Sequence, residues 1–172
     1  VTARLKEATV EAGAPASDAE AETAEKIGAG VLLKENVKVG LAAVSREEAI
    51  TTAGKLLVAG GYVDEGYVQG MLNREQDLST YIGKGIAIPH GENAVKDTIK
   101  KTGIVVCQYP DGVKFGDETA YLVIGIAGVG NDHLAILANI ATMVGDYTDE
   151  QLEELFKTKS ADELYEVFTK AD

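Results

Sequence analysis

At 172 residues, 45% hydrophobic and 26% charged, the chain has the make-up of one soluble globular domain with a modest extension. Its formal net charge of −12 argues against a nucleic-acid binder, which needs clustered Lys and Arg, and suits partners that present a basic face. Cys107 is the only cysteine, which excludes an intrachain disulfide and a Cys-based zinc site, and no run of about 18 apolar residues is present to span a bilayer.

Residues 1–29 hold nine alanines, six acidic residues and Pro15 but few large apolar side chains. Such a segment cannot bury enough apolar surface to offset its ordering entropy, so it reads as a flexible Ala/Glu-rich tether, with a docked helix as the alternative. Residues 30–172 form the domain proper, and from Val31 onward helical and strand patterns alternate. Ser45–Gly60 is a helix opened by a Ser45/Glu48 capping box, with Ala49, Ile50, Ala53, Leu56 and Leu57 on one face and Gly60-Gly61 as its stop. A second helix covers about 64–74, with Tyr67, Val68, Met71 and Leu72 inward. Thr102–Tyr109 and Ala120–Ala127 are nearly continuous apolar runs rich in β-branched residues, the pattern of buried strands.

Asp132–Val144 is a third helix with Leu134, Leu137, Ile140 and Val144 as its stripe. Two short amphipathic helices end the chain. One runs over 148–157, with Leu152, Leu155 and Phe156 inward. The other runs over 160–170, with a Ser160/Glu163 capping box and Leu164, Val167 and Phe168 inward. Interleaved strands and helices predict a single-domain α/β sandwich, a mixed sheet flanked by helices.

Chemistry gathers around two histidines. His90 lies in Gly85-Ile86-Ala87-Ile88-Pro89-His90-Gly91, where a short apolar run reads as a strand that Pro89 ends and Gly91 turns. This delivers an imidazole to a rigid corner open to a partner, and a neutral imidazole is a competent nucleophile toward phosphorus near neutral pH. The alternative is a loop histidine without a role. His133, in Gly130-Asn131-Asp132-His133, sits where a strand gives way to a helix, a place suited to an anion; a capping or surface histidine is the alternative. Arg74 closes the second helix as a candidate phosphoryl-binding guanidinium, or as a solvated partner of Glu75 or Asp77. The glycine-rich Gly125–Gly130 stretch fits neither the dinucleotide nor the Walker A spacing and reads as a tight strand-to-helix turn. Cys107 reads as a small buried hydrophobe, and two histidines without a clustered third ligand make a poor zinc site unless an Asp or Glu completes it.

Met71–Glu75, Thr80–Gly83 and Gly85–Gly91 resemble the active-site region of enzyme IIA domains of the mannitol/fructose/nitrogen family of the sugar phosphotransferase system. Thr102–Val113, and Leu122–Ala127 leading to His133, resemble the mannitol branch. The resemblance covers about residues 31–170 and implies a phosphoryl carrier for the uptake of mannitol or a related hexitol or fructose. It implies that His90 is phosphorylated by the phosphocarrier HPr and donates to a cysteine of the cognate enzyme IIB, with His133 stabilising the phosphoryl group and Arg74 binding it. It implies no cofactor and no metal. It also implies a cytoplasmic domain, either free or held at the inner face of the membrane in a permease with IIB and IIC, for which the 1–29 segment resembles a joint. The alternative within the family is a nitrogen-type regulatory module whose phosphorylation state controls protein partners. A hydrolase or metal enzyme built on the two histidines would lack both a nucleophile elbow and an HExxH helix.

Overall fold

The computed structural model describes residues 31–169, so the 1–29 segment read as a tether lies outside the described residues. Among the described residues five strands are present: β1 (Val37–Lys38), β2 (Tyr81–Gly83), β3 (Ile86–Ala87), β4 (Gly103–Phe115) and β5 (Glu118–Ala127). Five helices accompany them: α1 (Arg46–Ala59), α2 (Gly66–Asp77), α3 (Asp132–Asp146), α4 (Asp149–Lys157) and α5 (Ala161–Thr169). The strands form one sheet in the order β1-β4-β5-β3-β2. The β4–β5 and β2–β3 pairs are antiparallel, while β1–β4 and β3–β5 are parallel. The sheet is therefore mixed, as expected. No described helix is long and apolar enough to cross a membrane.

The central strands are apolar at almost every position because both faces of the sheet are covered. Ile104 and Val106 of β4, with Leu122, Ile124 and Ile126 of β5, face one side and pack with Ile136, Ile140, Leu155 and Phe168 from α3, α4 and α5. Val105, Cys107 and Val123 face the other side and meet Ala49, Ile50, Ala53, Leu57 and Met71 from α1 and α2. Cys107 is fully buried, and desolvation pushes its thiol up to about 12, so it is an inert packing residue. The Ser45/Glu48 capping box opens α1, and a second box, Thr148/Gln151, opens α4; such a cap contributes about 1 kcal/mol.

In the β4–β5 hairpin and in three helices the structure departs from the sequence reading. β4 and β5 form one long hairpin that extends well past Tyr109, through a register shift between Gln108 and Val113 where Gly112 has φ 88°. Pro110-Asp111-Gly112 breaks the apolar pattern there without breaking the strand, as bulges do. α2 extends to Asp77, which places Arg74 within its last turn and buries Glu75. In α3 the buried line is Ile136, Ile140 and Val144; Leu134 is 55% exposed, because it lies two residues from Ile136 and so on the opposite side of the helix. Ser160 Oγ accepts from the Glu163 amide, but the Glu163 carboxylate accepts from Thr158 Oγ1 instead of reaching back to Ser160, so that capping box is only half formed.

Gln108 is a fully buried polar residue in the middle of β4. Its Oε1 accepts from Gly40 N at 2.8 Å, and its Nε2 donates to Leu155 O at 2.8 Å and Thr158 O at 2.9 Å. One amide thus ties the segment after β1 and the end of α4 to the sheet. Gln108→Leu conserves volume but leaves three backbone groups without their partner. We expect a loss of about 2–3 kcal/mol in urea unfolding, whereas a change under about 0.5 kcal/mol would show that these bonds are replaceable.

Candidate functional site

β3 is only two residues long, yet it carries the chain straight to His90. Ile86 and Ala87 pair in parallel with Leu122 and Val123, and the same register continues to an isolated bridge between His90 and Ile126. Pro89 therefore does not end the pairing, contrary to the sequence expectation. It lacks a donor, but its carbonyl accepts from Ile126 N at 3.0 Å, so the corner is still hydrogen-bonded to the sheet. Tyr67, on α2, locks the corner from the other side: its hydroxyl donates to Ile126 O at 2.6 Å and accepts from Gly91 N at 2.9 Å. Gly91 is required at this approach, since a Cβ there would lie 2.5 Å from the Tyr67 ring.

His90 is half-buried at this corner, more enclosed than the open position expected from sequence. Its Nδ1 lies 2.9 Å from Ile88 O, a contact that requires Nδ1 to donate. Nε2 is then the unprotonated nitrogen of a ring that lines a cleft of about 460 Å³. Burial, chiefly, holds the His90 pKa below its ordinary value. The Ile88 carbonyl opposes this, the charges of Arg74 and His133 add to it, and Glu75 opposes it.

The cleft brings together His90, His133 and Arg74, which lie far apart in sequence. The His90 and His133 rings are tilted at 35°, with centroids 6.1 Å apart. His133 stands in the first turn of α3, and α3 can come this close to the end of β5 because residue 128 is glycine: a Cβ there would lie 2.3 Å from His133 N. Burial and then Lys96 hold the His133 pKa below its ordinary value, while the Gly130 backbone and Asp132 oppose. Arg74 forms no ion pair among the described residues; its Nη1 donates to Leu78 O at 2.5 Å. Its guanidinium thus keeps donors for a ligand, and pairing with Glu75 or Asp77 is not what the structure shows.

Two residues of the site went unread in the sequence. Lys96, from the 3-10 turn Asn93–Thr98, lines the cleft as a further cation, and Tyr67 was read only as a core residue. Besides the carboxyl groups of Asp77 and Glu92, which also line the cleft, the set comprises one neutral imidazole, a second imidazole and two cations. It suits the receipt of a small multiply charged anion at nitrogen. Among the described residues no group of three or more His, Cys, Asp or Glu could hold a metal ion.

Comparison with known proteins gives a consistent picture. Residues 31–171 match the family described as "Phosphoenolpyruvate-dependent sugar phosphotransferase system, EIIA 2". A mannitol-specific EIICBA component of Escherichia coli is 46% identical over 77% of this chain, which spans only 21% of that protein. A mannitol-specific phosphotransferase enzyme IIA component of Bacillus subtilis is 43% identical over 83% of this chain and 99% of its own length. Among solved structures, the E. coli complex of enzyme IIA and phosphorylated enzyme IIB for mannitol contains a chain of TM-score 0.74 and 44% identity, matched over 83% of this chain and 96% of that one.

Two measurements check this geometry. The folded protein prefers both imidazoles neutral, so their contribution to stability is complete above about pH 6.5 and is lost as pH falls through the lower folded-state values. NMR titration of the two rings is expected to give midpoints below about 6.5, and a midpoint above that value would contradict the burial seen here. Tyr67→Phe keeps the ring but deletes both hydroxyl bonds. The Gly91 amide is expected to exchange with deuterium about tenfold faster or more, and an unchanged rate would remove Tyr67 as the clamp.

Proposed function

The chain belongs to the EIIA 2 family of the phosphoenolpyruvate-dependent sugar phosphotransferase system, and from that premise we propose that it is a mannitol-type phosphoryl carrier working through His90. The observation that carries the assignment to His90 is the bond from its Nδ1 to Ile88 O, which leaves Nε2 with a free electron pair inside a cleft that also holds Arg74, Lys96 and His133. Nε2 attacks the phosphorus of phosphohistidine on HPr. The new N–P bond forms as the old one breaks, and the departing HPr imidazole keeps the bonding pair. Transfer to a cysteine thiolate of the cognate enzyme IIB repeats this displacement with His90 as the leaving group. The donor arrives activated, so the domain contributes mainly position and charge. No organic cofactor or metal takes part in this scheme.

Arg74 and Lys96 hold the phosphoryl oxygens, and His133 donates to them from the start of α3. The ranking of mannitol over other hexitols and fructose, and the choice of an enzyme IIB partner, rest on the near-full-length likeness to the B. subtilis mannitol component and on the E. coli complex with phosphorylated enzyme IIB. A cytoplasmic setting follows from this role, either as a separate carrier or as part of a permease like the larger E. coli relative. Residues 1–29 would then be the tether that lets the domain visit successive partners.

The test is phosphoryl transfer from phosphoenolpyruvate through enzyme I and HPr, followed by transfer to a mannitol enzyme IIB. Wild type is expected to take an acid-labile, base-stable label, and folded His90→Ala none; a labelled His90→Ala protein would end the assignment. His133→Ala, Arg74→Ala and Lys96→Ala are each expected to fold and to slow labelling by roughly ten- to a hundredfold without abolishing it.

A further inference from the structure

Glu75 is a charged residue buried to 4% exposure on α2, immediately after Arg74, and the transfer scheme above gives it no part. Its Oε1 accepts two hydrogen bonds from a single residue, Thr80: one from the backbone N at 3.0 Å and one from Oγ1 at 2.5 Å. Thr80 is itself buried, at the entry to β2. Its carbonyl accepts from Ile88 N at 3.0 Å, just beyond β3. The carbonyl of Ile88 in turn accepts from His90 Nδ1 at 2.9 Å. Four residues thus form a continuous path of hydrogen bonds from a buried carboxylate to the ring nitrogen opposite the nucleophile. Glu75 Oε2 is buried and has no hydrogen-bond partner among the described residues, so Thr80 is the one residue the carboxyl group holds there.

We propose that Glu75 is a positioning residue for His90, which through Thr80 and Ile88 fixes the tautomer that exposes Nε2. Two hydrogen bonds to one buried carboxyl oxygen hold Thr80 against the fraying expected of the exposed Leu78-Ser79 segment beside it. The carbonyl of Thr80 then anchors Ile88 through its N–H, and the Ile88 carbonyl facing His90 lies in the next peptide plane. The orientation of that plane decides which ring nitrogen of His90 keeps the proton, as the partner of one imidazole nitrogen sets the state of the other. Position is the larger part of phosphoryl transfer, so a ring that samples both tautomers and several orientations would react more slowly even with the same cations around it.

The proposal rests on His90 as the phosphoryl acceptor, so its test is chosen to fail separately from that reading. The ring nitrogens of His90 are assigned by 15N NMR in wild type, Glu75→Gln, Glu75→Leu and Thr80→Val, and the labelling rate from phospho-HPr is measured for each. Wild type is expected to show protonated Nδ1 and bare Nε2. Glu75→Gln keeps an acceptor for Thr80 and is expected to retain that tautomer and label within about threefold of wild type. Glu75→Leu is expected to drift toward the mixed tautomers of free imidazole and to label roughly tenfold more slowly. Thr80→Val, which loses only the Oγ1 bond, is expected to move the same way to a smaller extent, and it carries the test if Glu75→Leu does not fold. A folded Glu75→Leu or Thr80→Val protein with the wild-type tautomer and rate would overturn the role of Glu75. A wild type that takes no label at all would overturn the His90 reading instead.

Discussion

Ile126, near the end of β5, spends both of its backbone groups on the site. Its N–H donates to Pro89 O and its carbonyl accepts from Tyr67 Oη, while His90 bridges across from it. A proline in an interior strand would ordinarily cost the sheet a bond, and here the ladder survives because Pro89 needs only to accept. Ile126 is itself fully buried in the core beneath α3, α4 and α5. The reactive corner is therefore fixed to the most deeply packed part of the molecule. Clamping from α2 on one side and from β5 on the other leaves His90 little freedom except rotation of its ring, and the bond to Ile88 O removes most of that.

Two cations, Arg74 and Lys96, line the cleft of an acidic chain, together with the carboxyl groups of Asp77 and Glu92. Arg74, Lys96 and His133 surround the ring, and the formal net charge is −12. The two facts serve different steps. In the proposed transfer the long-range field acts on an approaching protein and weakens with salt, whereas Arg74 and Lys96 act on a phosphoryl group a few ångströms away, where burial reduces screening. Burial also favours the neutral His90 ring, as the proposed nucleophilic role requires, and the positive charge of Arg74 supports that state. A single cluster thus favours an uncharged ring before transfer and a charged phosphoryl group after it.

Much of this was legible in the chain because it is local. Ser45 and Glu48 stand three apart and form the predicted capping box; Gly85–Gly91 delivers His90 beside β5; of the Gly125–Gly130 stretch read as a turn, Gly125–Ala127 belongs to β5 and only Gly128–Gly130 turns into α3. Residues whose roles depend on distant partners were read less well. Lys96 has no neighbours in sequence that mark it, and only the fold carries it to the cleft. Tyr67 shows a core residue's helical spacing, which hides the second job of its hydroxyl. The extension of β4 past Pro110 was missed because a bulge looks like a turn until the partner strand is seen, and Leu134 was placed inward because the period alone leaves the phase of α3 open by two residues. The burial of Glu75 contradicts the usual habit of glutamate, and that exception is where the structure says most about the ring it helps to hold.

The mixed sheet also sets an order of assembly. β1 pairs with β4, and β3 with β5, so each parallel strand waits for a partner made much later in the chain. On a ribosome the segment bearing His90 emerges before the hairpin that will hold it, and only the short β2–β3 pairing is available to it meanwhile. The β4–β5 hairpin is local in sequence and can form as soon as it is synthesised; recruitment of β1 and β3 to its two edges requires closing long loops. His90 therefore gains its fixed geometry only after β5 is made, so a chain arrested before residue 127 would carry the histidine without the frame that positions it.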